Sequence, residues 1–436
     1  MSKRSQQSPA ARAPKPARKS KPKLTIAIVT GTRAEFGLLR PVIDAIGAHP
    51  RLKLALIAAG AHFLPPARTI REVESAYPIA ARVPMQRAAA PRTRHEDALA
   101  TSRGIAGFAT TFAKLKPHWV VVLGDRIEAF AAAAASSIAG IPLCHIHGGD
   151  RAEGIADEAL RHAISKLAHL HCAATEQSAQ RLLKMGESPS SVHVTGSPAV
   201  DGLAKIKPLT RAQAAKYGDP KTILLLHPSG LSPQRESLLA ASLIHALDEM
   251  SAGDVVCLAP NHDPGRDYIL RAITARCAVD NHRIKYQTNP PSKGGGTTFT
   301  VLPRPSSTPA CGLVRRFTFV EHLPRASFIA LLKYAAHSGV GLLAGNSSAG
   351  MIEAAALNLR VLNLGPRQSG RERHPLVTDV ALTELDSLPS RVMFALDTSF
   401  DTPPPHPFTI TSAGAHIAKL LATTNPAPML RKHNSY

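Results

Sequence analysis

The sequence lacks the features that would place it at a membrane or on single-stranded nucleic acid. The sequence of 436 residues contains no uninterrupted apolar run of about 18 residues, which is the length that a membrane-spanning helix needs. Nor does it begin with the apolar run of about 7 to 15 residues that a secretory signal needs. Aromatic residues make up only 4%, which is few for base-stacking surfaces. We therefore expect a soluble, cytoplasmic protein with no membrane partner.

Cysteine is scarce and follows no ligand pattern. The five cysteines are Cys144, Cys172, Cys257, Cys277 and Cys311. Their number is odd and no two stand at a metal-binding spacing, so reduced, buried thiols are expected and no zinc site is predicted.

Acidic residues are also few, and the formal net charge is +21. Eight of the basic residues lie within positions 1–23, a Pro-, Ala- and Ser-rich segment that has no acidic residue. Such a segment has little to bury and is predicted to be a disordered, solvated basic extension. This local concentration of charge argues against a specific nucleic-acid partner.

From Leu24 onward, apolar runs typical of strands alternate with segments that have helical periodicity. This alternation predicts an α/β protein with two Rossmann-like doubly wound domains, at 24–205 and 215–400. Predicted strands include Leu24 to Thr30, Trp119 to Leu123, Ile141 to His147, Thr222 to His227 and Val340 to Ala344, and a helix is predicted from Asp157 to His171. Residues 286–312 are rich in Pro and Gly and predict a flexible insertion. Residues 401–436 form a Pro-rich tail with one predicted helix, from about Ser412 to Thr423.

Polar turns follow the predicted strands of the first domain. The turn Gly31-Thr32-Arg33-Ala34-Glu35-Phe36-Gly37 opens a helix and is of a kind that presents backbone N–H groups and an arginine to an anion. Gly124-Asp125-Arg126 directly follows another strand. Taken alone, Asp125 and Arg126 fit a helix cap and ion pair as well as a catalytic carboxylate at the sheet edge.

The segment His145-Ile146-His147-Gly148-Gly149-Asp150 ends the next strand. Strand alternation predicts that His145 and His147 point the same way, and the two glycines permit close approach of a ligand to the backbone. These side chains are also metal-ligand types, but no further cluster at ligand spacing follows, so no metal is predicted. Asp157 and Glu158 stand four residues before Arg161 and His162, which fits either a salt-bridged helix face or a catalytic group.

In the second domain, Gly345-Asn346-Ser347-Ser348 leads from a strand into a helix. Hydroxyl groups and unbonded N–H groups at a positive helix end suit a pyrophosphate. Glu353, one turn later, could accept two ribose hydroxyls. Arg367 and Arg371 could neutralise a leaving diphosphate.

These motifs, taken in order, resemble the hydrolysing UDP-N-acetylglucosamine 2-epimerases. The resemblance runs from about Lys23 to Val380. It also includes Glu153-Gly154, Gly196-Ser197-Pro198, Leu226-His227-Pro228, Pro260-Asn261 and Arg367-Gln368.

The resemblance implies a glycosyltransferase-B fold, with UDP held mainly by the second domain. It implies Arg33, Ser347 and Ser348 at the diphosphate, Glu353 at the ribose, and Asn261 with the backbone around His322 at the nucleotide. Predicted catalytic residues are Asp125, His147, Asp150, Asp157 and His227; predicted substrate-binding residues are Arg33, Arg126, Asn261, His322, Ser347, Ser348, Glu353 and Arg367. A UDP-sugar is the expected small-molecule partner, a homodimer is expected, and the chemistry demands no metal or other cofactor.

The family usually has Glu at the position of Asp150, so this carboxylate is one methylene shorter here. Three alternatives stay open at this stage: the same chemistry on a bacillosamine-type UDP-sugar, the non-hydrolysing epimerase, and a catalytically weak nucleotide-sugar sensor. The non-hydrolysing enzymes usually carry His-Val-Glu-Ala-Gly where this chain has His145-Ile146-His147-Gly148-Gly149, which favours hydrolysis.

Overall fold

Two all-parallel β-sheets organise the chain. The first has seven strands in the order β3-β2-β1-β4-β5-β6-β7 and the second has six in the order β10-β9-β8-β11-β12-β13. The strands are β1 Leu24–Thr30, β2 Leu52–Ala59, β3 Ile79–Val83, β4 Trp119–Leu123, β5 Leu143–Ile146, β6 Leu170–Ala173, β7 Val192–Val194, β8 Thr222–Leu225, β9 Val255–Leu258, β10 Phe317–Val320, β11 Leu342–Gly345, β12 Arg360–Leu364 and β13 Val377–Val380.

The computed structural model describes residues 22–65, 68–91, 93–152, 157–250, 253–280, 316–400, 406–408, 412–433 and 435. The predicted insertion 286–312 and nearly all of the predicted basic extension 1–23 lie outside the described residues. Within the described ranges, no helix is long and apolar enough to cross a membrane.

Helices cover both faces of each sheet. They are α1 Arg33–Ala48, α2 Ile70–Ala76, α3 Arg94–Leu115, α4 Ile127–Ile138, α5 Asp157–Leu167, α6 Glu176–Lys184, α7 Arg211–Ala214, α8 Pro233–Met250, α9 Arg266–Asp280, α10 Arg325–His337, α11 Leu388–Asp397 and α12 Ala413–Thr423, with a π-helix at Gly350–Ala354. Along β1, Ile26 and Ile28 join one apolar core, whereas Ala27 and Val29 join another on the opposite face. Strands buried on both faces are apolar throughout, as every residue of β4 shows. The predicted fold class, with two doubly wound α/β domains, is confirmed.

One predicted helix is too long. The segment predicted as helical from Asp157 to His171 is helical only to Leu167, and Leu170–Ala173 forms β6 between β5 and β7. All four residues of β6 are buried. The helical spacing of apolar residues continues past Leu167, but β5 and β7 supply hydrogen-bond partners on both sides of this segment. The strand is therefore favoured over a longer helix.

The C-terminal segment packs on the first domain. Helix α12 belongs to the same apolar core as α1, with Ile417 and Leu421 fully buried there. Asp201 accepts hydrogen bonds from the first amides of α12, at 3.0 Å from Ala413 N and 2.8 Å from Gly414 N. The chain therefore leaves the first domain, builds the second and returns.

Candidate active site

The site lies where the strand order reverses in each sheet. The switch falls between β1 and β4 in the first sheet and between β8 and β11 in the second. Ligands of doubly wound proteins bind outside the carboxyl ends of the strands at this point. A cavity of about 340 Å³ lies there between the domains, and the turns that follow all four strands contribute to its wall.

The turn after β11 needs glycine at position 345. Gly345 has φ +144°, and a Cβ added there would lie 2.0 Å from the carbonyl oxygen of Leu225. The backbone of β11 can therefore approach β8 closely only without a side chain. Ser347 and Ser348 follow and line the cavity at the start of the next helix, where the first amides have no acceptor within the helix. This arrangement suits an anionic ligand group.

Glu353 lies in the π-helix that follows, and it is buried rather than solvated. Its Oε1 accepts a hydrogen bond of 2.7 Å from Arg325 at the start of α10. Arg325 also donates to the backbone carbonyl of Ala199 in the first domain, at 2.6 Å. π-Helical turns are common at functional sites because they shift a side chain out of helical register. Glu353 lines the cavity, and its predicted role at a ribose stays a prediction. Sequence reasoning missed Arg325.

His227 is neutral at pH 7. Burial first, and then the nearby Arg367, lower the pKa of His227 to about 3. Its Nδ1 accepts a hydrogen bond of 3.1 Å from the backbone N–H of Asn261, so the proton is on Nε2. Asn346 holds the backbone of His227 in place, accepting from its N–H at 2.7 Å and donating to its carbonyl at 2.9 Å. His227 and Asn261 both line the cavity.

The turn after β1 uses two of its amides internally. Thr32 and Glu35 form a capping box at the start of α1. Glu35 Oε2 accepts from Gly31 N at 2.7 Å and from Thr32 N at 3.4 Å. These two N–H groups therefore bind the protein's own carboxyl group, contrary to the expectation that they are presented to an anion.

Arg33 lines the cavity from this same turn. It donates a hydrogen bond to His322 Nδ1 across the domain boundary. Burial, and then Arg33, lower the pKa of His322 to about 4, so this imidazole is an acceptor. The cavity wall beside His322 is made by Val320, Glu321 and Leu323. The contact joins two predicted substrate-binding residues from different domains.

Asp125 follows β4 and lines the cavity. Its carboxylate is paired with Arg161 of α5, which is almost fully buried and also donates to the carbonyl of His147 at 3.2 Å. A buried guanidinium that bonds a carboxylate restricts the direction in which that carboxylate points. Asp125 is thus a carboxylate held by an ion pair, and it lines the cavity from the first domain, whereas Ser347 and Ser348 line it from the second.

His147 also lines the cavity, but both of its ring nitrogens are engaged. Nδ1 lies 2.7 Å from Asp150 Oδ2, and Nε2 lies 2.9 Å from Ser197 Oγ. The structure places Asp150 behind His147 rather than on the cavity wall. Ser178 donates to Asp150 at 2.8 Å, and Arg371 of the second domain lies 3.5 Å from it. In this arrangement Asp150 contacts His147 and does not line the cavity, and its predicted catalytic role stays a prediction.

Two features of this segment differ from the sequence-based expectation. Because β5 ends at Ile146 and His147 has φ +64°, strand alternation does not extend to His147. His145 is instead buried, with Nε2 2.8 Å from the carbonyl of Gly124. A Cβ added at Gly149 would lie 2.1 Å from the carbonyl oxygen of Ser178, so this glycine is needed for packing on α6 and not for ligand approach.

Arg126 and Arg367 approach each other across the cleft, and both line the cavity. Asp263, which follows β9, accepts a hydrogen bond of 2.5 Å from Arg126 and one of 3.2 Å from Arg367. Sequence reasoning missed Asp263. Asp157, a predicted catalytic residue, begins α5, and its role stays a prediction.

Glu35 gives the site a testable pH dependence. Burial raises the pKa of its carboxyl to about 8, and the nearby carboxylate of Glu128 adds to this effect. Between about pH 4.5 and pH 8, Glu35 is therefore protonated in the folded protein but ionised in the unfolded chain. Its contribution to stability is present below about pH 4.5 and is lost as the pH rises toward 8.

Glu35→Gln is therefore expected to make the protein more stable than wild type at pH 8 by roughly 4 kcal/mol, with little difference at pH 4.5. Glutamine keeps an acceptor for Gly31 N but does not ionise. Urea unfolding at several pH values measures the effect, and Glu249→Gln, on the exposed face of α8, is the control. Parallel pH profiles for Glu35→Gln and wild type would contradict it.

Two doubly wound domains that face each other across a cleft define the glycosyltransferase-B fold. Solved structures are similar to this chain in fold. A UDP-GlcNAc 2-epimerase from Neisseria meningitidis bound to UDP-GlcNAc superposes with TM-score 0.66 at 19% identity, covering 92% of this chain and 100% of that one. The Methanocaldococcus jannaschii UDP-GlcNAc 2-epimerase in complex with UDP-GlcNAc and UDP gives TM-score 0.69 at 17% identity, covering 92% and 100%. These likenesses confirm the fold.

Sequence comparison gives the family. The family profile described as UDP-N-acetylglucosamine 2-epimerase matches residues 44–422. A Legionella pneumophila protein named UDP-N,N'-diacetylbacillosamine 2-epimerase (hydrolyzing) is 34% identical over 370 residues, 82% of this chain and 85% of that one. A Neisseria meningitidis UDP-N-acetylglucosamine 2-epimerase is 31% identical over 364 residues, 79% and 81%. The chain belongs to the UDP-N-acetylglucosamine 2-epimerase family.

Proposed function

We propose that this protein is a hydrolysing epimerase that converts UDP-N-acetylglucosamine and water to N-acetylmannosamine and UDP. The observation that carries the proposal is the placement of one fixed carboxylate, Asp125, across the cavity from a helix start at Ser347 and Ser348. This geometry pairs a base for the sugar with an electropositive site for the leaving diphosphate. Membership of the epimerase family supports the same conclusion.

Loss of UDP is the first requirement, because the C2 proton of the sugar is not acidic while the C1–O bond is intact. The helix start at Ser348 and the cations Arg33 and Arg367 stabilise the charge that develops on the diphosphate as this bond breaks. Glu353, held by Arg325, accepts hydrogen bonds from the ribose. These groups determine where the nucleotide lies and leave the sugar facing the first domain.

Proton removal follows at C2, where the departing UDP has left positive charge on the ring. Asp125 takes the C2 proton, and the electron pair of the C–H bond forms the C1=C2 bond of a glucal. Water then adds across this bond, with its hydroxyl going to C1 and a proton to the opposite face of C2. The neutral His227, which carries a proton on Nε2, is placed to donate a hydrogen bond at this stage.

A second candidate substrate is a UDP-sugar of the bacillosamine type. Its support is the Legionella relative named for UDP-N,N'-diacetylbacillosamine, which is 34% identical over 82% of this chain. The elimination and hydration at C1 and C2 are the same for both sugars. The two substrates differ at C4 and C6, so only the pocket around those positions discriminates between them.

Proton NMR in D2O tests the function directly, with UDP-N-acetylglucosamine and the bacillosamine-type UDP-sugar in separate samples. Free N-acetylmannosamine deuterated at C2, appearing together with UDP, is the expected result. UDP-N-acetylmannosamine would indicate the non-hydrolysing reaction instead. UDP binding without turnover of either sugar would support a nucleotide-sugar sensor.

A homodimer and a cytoplasmic location stay predictions. Gel filtration with light scattering measures the first, and fractionation of cells that express the full chain measures the second.

A further inference from the structure

Asp263 contacts three of the polar residues that line the cavity. It accepts hydrogen bonds from Arg126 of the first domain and from Arg367 of the second, at 2.5 and 3.2 Å. Asn261 donates to it as well, at 2.5 Å. Arg126, Arg367 and Asn261 line the main cavity, whereas Asp263 lines a smaller cavity of about 200 Å³ on the other side of the two arginines. Asp263 thus supports the cavity wall from behind.

Asp263 is partly buried but keeps its charge. Burial opposes ionisation, but Arg126 and then Arg367 outweigh it and hold the pKa of the Asp263 carboxyl below its usual range. A protonated carboxyl would accept from only one arginine well, whereas the carboxylate has an oxygen for each. The two bonds use different oxygens, Oδ1 for Arg126 and Oδ2 for Arg367.

Two guanidinium groups from different domains repel each other when they approach without an anion between them. Arg126 follows β4, and Arg367 follows β12. Each is long and flexible, so its direction depends on its partners. A carboxylate that bonds both therefore keeps them together and sets their orientation toward the cavity.

We propose that Asp263 is a positioning residue. Its carboxylate orients Arg126 and Arg367 together at the cavity wall, where they bind the ligand's diphosphate. This inference rests on the proposed function, because it takes a nucleoside diphosphate as the ligand. It predicts the direction in which the affinity for the diphosphate changes when Asp263 is replaced. Removing a negative charge near a diphosphate would by itself tighten binding, whereas loss of two oriented arginines weakens it.

Isothermal titration calorimetry of the full-length protein with UDP tests the proposal. Asp263→Asn is expected to weaken UDP binding by roughly tenfold or more, which corresponds to one charge-assisted hydrogen bond. Asp267→Asn is the matched control, since it removes an exposed carboxylate from the first turn of α9 and should bind UDP as wild type does. Thermal melting verifies that both variants are folded.

A double-variant comparison separates positioning from a general structural effect. Arg126→Gln should weaken UDP binding in the wild-type background but add little in the Asp263→Asn background, because the arginine is then no longer oriented. Equal or tighter UDP binding by Asp263→Asn, or full additivity with Arg126→Gln, would overturn the proposal. Failure of the wild-type protein to bind UDP would instead overturn the proposed function on which it rests.

Discussion

Asp125→Asn is expected to reduce turnover of the UDP-sugar by about a thousandfold, within the range for loss of a general base. UDP affinity should change by less than about threefold, because the proposed mechanism puts Asp125 beside the sugar and outside the diphosphate site. Steady-state kinetics and calorimetry with UDP measure the two effects separately. This split between chemistry and binding distinguishes a catalytic carboxylate from one that only shapes the site.

The Asp125 experiment needs a second variant because Arg161 is buried and loses its ionic partner. An unpaired buried charge destabilises a protein by roughly 3 to 5 kcal/mol, which by itself would reduce activity. The double variant Asp125→Asn with Arg161→Gln leaves no such charge and should be as inactive as the single variant. Turnover within tenfold of wild type in a folded double variant would remove Asp125 from the mechanism.

Gly345→Ala is expected to have the largest effect on stability, at least about 3 kcal/mol. The residue combines a φ of +144° with a Cβ position 2.0 Å from the backbone oxygen of Leu225. Backbone atoms of adjacent β-strands cannot move aside as a flexible side chain can, so strain and overlap add. Urea unfolding measures the loss, and calorimetry should show that UDP binding is lost in any protein that folds, because the turn carries Ser347 and Ser348.

Gly339→Ala is the control for Gly345→Ala. Gly339 has φ +72°, but a Cβ added there would meet no atom within 4 Å. Its substitution should therefore cost only the left-handed backbone penalty, about 1 to 2 kcal/mol. Similar losses in the two variants would show that contact with Leu225 is unimportant.

Most strands of this fold could be predicted from the sequence because they are buried on both faces. β1 and β4 have the predicted bounds, because a mostly apolar run of strand length is typical of a strand whose sheet is covered on both faces. The edge strands β3 and β13 escaped prediction. They are short, only partly buried and contain Arg82 and Asp379, so their pattern resembles that of a loop.

The site was predictable where its residues follow strands directly. Asp125, Ser347 and His227 lie just beyond the ends of β4, β11 and β8, and the topology alone brings such ends together. Asp263 and Arg325 were missed because their importance comes from partners in the other domain. No spacing along the chain records the contact between Arg126 and Asp263, or that between Arg325 and Ala199.

The folded protein also shows the surroundings of Asp150, which stands where the family usually has glutamate. A carboxylate behind His147 must satisfy the imidazole, Ser178 and Arg371 at once, and these contacts fix its reach. Its shorter side chain is therefore expected to act through its contact with His147.

The return of α12 to the first domain has a consequence for synthesis of the chain. During translation, the surface of α1 that α12 covers stays exposed until the second domain has been synthesised, because Ile417 and Leu421 follow that domain in the chain. The first domain therefore obtains its last packed helix only after the second domain has been synthesised. The second domain can form its core before the first is complete.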